Sequence, residues 1–246
     1  VRLLEPSIFL QDYASLSFSG AASPTFAVDN DKQTLINSTQ SDPTLTLDAG
    51  AGETRTASAV WLRATGYTAV SVQHGNPWTS TGSWTIPADG YLYAEFTEAT
   101  SQHWRLNFTG TGGIYEVYLS KLLLDFDAPE KRPVWRTARH KGIFERAASG
   151  DLINFQPLGF GGGRADITLS WKSLDEASVA LLRSVWAASV GRNLQFGVYP
   201  IRQVIEDFFQ VRWESDFSFR YEGRSRKDGL TGQIILRERT ATLIET

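Results

Sequence analysis

The side chains best suited to chemistry in this chain are aromatic rather than ionic. Trp78 and Trp84 stand in the loop GNPWTSTGSW, residues 75–84, among glycine, serine and threonine. Two indoles in so polar a loop could present a flat apolar face to a sugar ring. They could equally fold under and close the end of a β-sandwich, the commoner fate of an aromatic side chain. His74 and His103 have no partner at a metal-ligand spacing, so no metal is assigned to them. Acidic residues are plentiful, but there is no His-Glu-x-x-His helix and no Gly-x-Ser-x-Gly elbow. No motif fixes a pair of carboxylates either, and no catalytic residue is expected. GFGGG, residues 159–163, lacks the Gly-Lys-Ser/Thr and the helix that a phosphate loop requires; Arg164 opens a strand pattern instead. No nucleotide or other cofactor is expected.

The elements that must position these residues are mostly strands. Leu16 and Phe18 alternate with Ser15, Ser17 and Ser19, and Leu45 and Leu47 alternate with Thr44, Thr46 and Asp48. That two-residue period marks half-buried strands. Apolar runs at 57–63, 67–74, 91–96, 103–108 and 114–124 follow, separated by turn residues. About seven or eight short strands in this arrangement make an antiparallel sandwich. Residues 125–132, DFDAPEKR, are charged, contain a proline and show no periodicity, which divides the chain into domains 1–125 and 126–246.

The second domain carries one helix, expected over residues 173–190. Ser173 and Glu176 form a capping box; Leu174, Ala177, Leu181, Val185 and Ala188, widened by Leu182 and Trp186, form its apolar stripe; Gly191 is placed for the C-cap. Before it, PVWRTARHKGIFERAASG mixes aromatic and basic residues, as either a contact arm or an edge strand guarded by charge. After it come strands at 193–199, 205–213, 216–222 and 230–239. The last two are joined through the basic tip GRSRKDG into a long hairpin. The fold class is therefore all-β: two β-sandwich domains, the second flanked by one helix.

Composition narrows the partners. The chain has no cysteine, so disulfides and thiolate metal sites are excluded. Through Asp125 there are six basic against twelve acidic residues, and beyond it eighteen against fifteen. Neither half concentrates enough positive charge to make nucleic acid the default partner. No apolar run reaches the roughly 18 residues of a membrane span, and no charged start leads into an apolar segment of the signal-peptide kind. Methionine is absent altogether, as expected if the initiator was removed or the chain was trimmed.

Two resemblances sharpen these expectations. FAVDNDKQT, the pair LTLDAG and ASAVWLRATGY, and then HWRLNFTGTGGIYEVYLSKLLL follow in an order and spacing similar to the galactose-binding-like, or discoidin-type, jelly roll. That likeness implies that Asp29 and Asp31 fall in a turn that binds calcium in some members; the alternative is a turn whose Asp side chains bond their own backbone. From about residue 131 to 245, strands followed by SLDEASVALLRSVW, NLQFGVY and a long hairpin resemble the tail-tube fold of long-tailed bacteriophages, shared by tail-tube subunits and distal tail proteins. This second likeness implies a structural component of a tail tip or baseplate, assembled in the host cytoplasm into a ring of sixfold, or alternatively threefold, symmetry. Its partners would be copies of itself and other tail proteins, with DNA only as passing cargo and a host-surface glycan met through Trp78 and Trp84.

The hairpin strands carry bulky residues on both faces, so both should be covered. Phe208, Phe209, Arg224, Arg226 and Lys227 are accordingly the expected subunit-interface residues. A first domain of the same chain is the other cover for that face. The alternative to a tail role is a carbohydrate-binding protein or the accessory module of a glycan-active enzyme.

Overall fold

A computed structural model describes residues 2–12, 15–20, 27–28, 35–125, 134–138, 143–146, 152–155, 164–188, 195–199, 204–213, 217–221 and 230–238. In chain order the elements are β1 (Arg2–Leu4), α1 (Ile8–Gln11), β2 (Leu16–Phe18), β3 (Ile36–Asn37), β4 (Thr44–Asp48), β5 (Arg55–His74), β6 (Thr79–Thr85), β7 (Tyr91–Ser101), β8 (His103–Ser120) and β9 (Leu122–Asp125). There follow β10 (Val134–Ala138), β11 (Ile143–Arg146), β12 (Leu152–Phe155), β13 (Arg164–Leu174), α2 (Glu176–Ala188), β14 (Phe196–Tyr199), β15 (Phe209–Trp213), β16 (Phe219–Tyr221) and β17 (Leu230–Glu238). The protein is an all-β sandwich fold, as its alternating sequence predicts.

One sheet is organised by β5 and β8, which are far longer than the runs read from the sequence. Where two strands were expected on either side of Gly66, and two on either side of Gly110, each pair is one continuous strand. The ladder between them continues through register shifts around Arg63–Ala69. Glycine makes the passage feasible. Gly66 has φ +80°, where a side chain is disfavoured, and a Cβ on it would stand 2.6 Å from the Thr111 carbonyl oxygen. Gly112, facing it, has no room for a Cβ against the Thr65 carbonyl. The Tyr67 hydroxyl buttresses the bend by donating to the Gly112 carbonyl at 3.0 Å.

On one side of the bend, residues 55–63 of β5 pair with β7, and β8 pairs with β3 at Gly113 and Ile114. On the other side, residues 69–74 pair with β6, and residues 103–107 of β8 pair with β4, which pairs with β2. Val60, Leu62, Val70, Val72, Leu45, Leu47, Trp104, Leu106, Phe108, Val117 and Leu119 all fall in a single buried cluster. The two arms thus fold face to face over one core.

The second sheet has the order β10-β13-β17-β15-β14-β1-β9, with β16 also pairing β17. Strands from both ends of residues 1–125 therefore belong to it: β1 pairs β14 on one side and β9 on the other. β10 is an edge strand of this sheet, and β11 pairs β12 separately.

Leu182 and Val185 of helix α2 share a buried cluster with Ile167, Leu169, Phe196 and Val198, and Val179 is buried as well. Its start differs from expectation. Ser173 lies in β13, at a register shift between the Trp171–Gly232 and Leu174–Leu230 pairs, so the strand runs past the residue expected to cap the helix. Asp175 caps instead, its Oδ1 accepting from the Ser178 N–H at 2.6 Å. The Ser178 side chain, and after it this backbone bond, hold the Asp175 carboxyl below its ordinary range. The buried stripe is also turned by about one position, leaving Ala177 exposed and Leu181 45% exposed. Gly191 lies outside the described residues.

Between the sheets lies a third cluster, of Leu4, Ala59, Trp61, Tyr118, Tyr199 and Phe208. Phe208 stacks on Trp61 at 4.5 Å between centroids and meets Tyr118 and Tyr199 at 4.9 and 5.0 Å. This corrects the assignment of Phe208 to a subunit interface. It is fully buried within its own chain, because the outer face of β5 and β8, rather than a second copy, covers that side of the C-terminal sheet. Phe209 points to the opposite face and packs partly buried on the helix-side core. Arg224, Arg226 and Lys227 lie outside the described residues.

Truncating so central a ring leaves a cavity that a packed interior cannot close. Phe208→Ala is expected to destabilise the chain by about 3–5 kcal/mol in denaturant unfolding. A loss below about 1 kcal/mol would show that the two sheets do not depend on this contact.

Candidate functional site

The bend leaves one sheet face uncovered by the second sheet: the outer side of β4, β8, β5 and β6. Alternation along these strands sends leucine, valine, tryptophan and phenylalanine inward and hydrogen-bonding side chains outward. Register lines the outer residues up in rows. Thr46, Arg105 and Gln73 are cross-strand neighbours, with Ser80 next on β6; Thr44, Asn107, Ser71 and Ser83 form the adjoining row. Asp48 and His103 pair at the end of the strip.

Each row is tied by its own side chains. Arg105 Nε–H donates to Gln73 Oε1 at 2.9 Å, and an Nη2–H donates to the same oxygen. Asn107 Nδ2 donates to Ser71 Oγ at 3.2 Å. At the end of the strip, Asp48 Oδ1 accepts from Gln102 Nε2 and from the Gly50 N–H, both at 2.9 Å, and lies 3.5 Å from His103 Nδ1. The Gln102 hydrogen bond, followed by that of Gly50 and the nearby His103, holds the exposed Asp48 carboxyl below its ordinary range.

Over these rows lies Trp78. The turn between β5 and β6 is docked by the Gly75 N–H, which donates to the His103 carbonyl at 3.0 Å, with Gly75 at φ +87°. From there the half-buried Trp78 ring covers the Arg105 guanidinium at 4.3 Å and meets His103 edge-on at 6.4 Å. A cation against an indole contributes about 0.5–1 kcal/mol where partly solvated, so it fixes the ring's place more than it stabilises the fold.

The two tryptophans read from the loop have different surroundings. Trp84 pairs with Val70 in register, on the core side. It packs against the core beside Phe96, at 6.1 Å, with its ring folded over Gly82, where a Cβ would lie 2.5 Å from it. It closes the end of the sandwich. His74 lies 5.5 Å from the buried Trp104 ring. Asp29 and Asp31 lie outside the described residues. Among the described residues no group of three or more His, Asp or Glu is arranged to hold a metal, and no helix is long and apolar enough to cross a membrane.

Arg105, Gln73, Asn107 and Asp48 were not singled out from the sequence, and His103 was passed over. Their signal lies in HWRLNF, where the outward positions of one strand are His, Arg and Asn rather than the Ser and Thr of an ordinary wetted face.

No protein-family model matches the chain, and no curated protein matches it in sequence. Among solved structures it is similar to the chitosan-binding module 2, in complex with chitotriose, of a chitosanase/glucanase from Paenibacillus sp. IK-5. Identity there is 20%, covering 43% of this chain and 94% of that one, with a TM-score of 0.37. It is also similar to the Clostridium perfringens module CpGH89CBM32-5 in complex with GalNAc-β-1,3-galactose, at 11% identity, 43% and 93% coverage and a TM-score of 0.38. The CBM32 of AlyQ in complex with 4,5-unsaturated mannuronic acid matches at 18% identity, 47% and 96% coverage and a TM-score of 0.37. These neighbours are carbohydrate-binding modules; the phage-tail expectation finds no support among them.

Because the Asp48 carboxyl ionises more readily in the folded chain than in the unfolded one, its bonds stabilise the corner fully above the ordinary aspartate range, about pH 4. They are lost as pH falls through the lowered folded value. In an NMR titration the Gly50 amide should therefore move with a midpoint below about 3.9, and should not move in Asp48→Asn. A midpoint at or above that value would mean the Gln102 and Gly50 bonds do not hold in solution.

Proposed function

We propose that the chain is a non-catalytic glycan-binding protein that takes its ligand on the outer face of β4, β8, β5 and β6. The observation that carries this reading is Trp78, held over Arg105 beside two rows of hydrogen-bonding side chains that the core does not use. A pyranose ring has an apolar face of C–H groups and a rim of hydroxyls. An indole supplies the flat partner, and amide, guanidinium, imidazole and hydroxyl groups supply donors and acceptors for the rim.

The strip is poorly equipped to cleave what it holds. Asp48 is the one carboxylate among the side chains just named, whereas the usual glycosidic hydrolysis takes a pair, about 5–5.5 or 6.5–9.5 Å apart. Asp48 is also committed to Gln102 and Gly50. The second sheet, tied in through β1 and β9, acts in this reading as the base that holds the module rigid.

Calorimetry or affinity electrophoresis against a panel of soluble polysaccharides tests the reading. Trp78→Ala should weaken binding at least about tenfold, near 1.4 kcal/mol, with unchanged thermal unfolding. Trp84→Phe should bind as the parent does. Failure of the parent to bind any glycan on the panel, equal binding by Trp78→Ala, or release of new reducing ends would overturn it.

A further inference from the structure

The charge on this face is more specific than glycan binding requires. Arg105 is half-buried, and among the described residues no carboxylate pairs with it. Its neighbours are a neutral amide oxygen and an indole face. A guanidinium has five N–H donors in a fixed plane. Gln73 takes the Nε–H and one Nη2–H, which share one edge of the group. That leaves the edge formed by Nη1 and the second Nη2–H, two parallel donors at the spacing of the two oxygens of a carboxylate.

Gln73 and Trp78 fix that edge from the side and from above, so little side-chain freedom remains to be lost when it binds. The nearest acid along the strip, Asp48, is turned to Gln102, Gly50 and His103. Residues 1–125 carry twice as many acidic as basic residues, so the long-range field opposes an anion. Recognition of one must be local and directional, which is what a forked, pre-positioned guanidinium supplies.

We propose that the sugar taken by this face is a uronic acid, its carboxylate held bidentate by the Nη1/Nη2 edge of Arg105 while the ring lies against Trp78. The proposal rests on the glycan-binding reading above, and the test separates the two. Calorimetry on the full chain compares trigalacturonate with the neutral galactotriose of the same linkage, with polyglutamate as a polyanion that is not a sugar. The acidic trisaccharide should bind at least about tenfold tighter at low salt, with the advantage shrinking as salt is added. Arg105→Gln should bring the acid-to-neutral ratio close to one. Arg105→Lys, which keeps the charge but not the fork, should fall between, with near-ultraviolet circular dichroism confirming that both variants are folded. Neutral sugar bound as tightly as acidic, or an unchanged ratio in Arg105→Gln, would overturn the uronate proposal and leave glycan binding standing. Polyglutamate bound as tightly as trigalacturonate would overturn it in favour of an acidic peptide, and no binding of trigalacturonate by a chain that binds a neutral polysaccharide of the panel would overturn it and leave glycan binding standing.

Discussion

Everything in this protein depends on a strand that is buried on both faces. Along residues 57–62 of β5, Val60 and Leu62 enter the core between the two arms of the first sheet, while Ala59 and Trp61 enter the cluster beneath the second. A strand wetted on one side does not tolerate this pattern; it needs cover twice. Trp61, Tyr118, Tyr199 and Phe208 supply the second cover as a nest of rings, and the polar ends of Trp61 and Tyr118 are paired with backbone carbonyls. Trp61 Nε1–H donates to the Ile205 carbonyl at 3.0 Å and the Tyr118 hydroxyl to the Glu5 carbonyl at 2.7 Å. Glu116 and Gln210, both buried, meet across the same interface at 2.9 Å. Each of these contacts joins residues more than 90 positions apart, so the two sheets form one cooperative interior.

The bend at Gly66 and Gly112 distributes the consequences. On one side of the bend, the outer faces of β5 and β8 are covered by the second sheet and carry Trp61 and Tyr118. On the other side, the same strands are clear of that sheet, and their outer faces carry Gln73, Arg105 and Asn107. The polar face is left open because the second sheet covers one arm and not the other. The glycines therefore act on the site without touching it, by allowing two long strands to change direction with their ladder maintained.

The site itself is ordered by mutual support. Gln73 holds the edge of Arg105, Arg105 carries Trp78, and the turn that delivers Trp78 is pinned by the Gly75 N–H to the strand bearing His103 and Arg105. Such an arrangement holds a flat ring and a cation in place in advance, which under the proposed glycan-binding reading lowers the ordering cost of binding.

Local pattern was enough to make the chain all-β. It marked Leu16, Phe18, Leu45 and Leu47 as inward, placed a helix before NLQFGVY, and raised Trp78 as a residue able to meet a ligand, because period and side-chain type are written position by position. It misjudged what depends on distant partners. Ser173 has every local feature of a cap, yet Leu230 across the ladder keeps that stretch in a strand. Phe208 has the look of an interface residue, and the interface is with Trp61, 147 positions earlier in the same chain. Glycines that read as turns became bends inside continuous strands, since only the opposed Thr65 and Thr111 carbonyls make the close approach visible. Arg105 remained one basic residue among twenty-four until register set it between Gln73 and Trp78. Alternation tells which side chains leave the core, but which of them meet is decided by strand pairing across tens of residues, and only the tertiary structure holds that information.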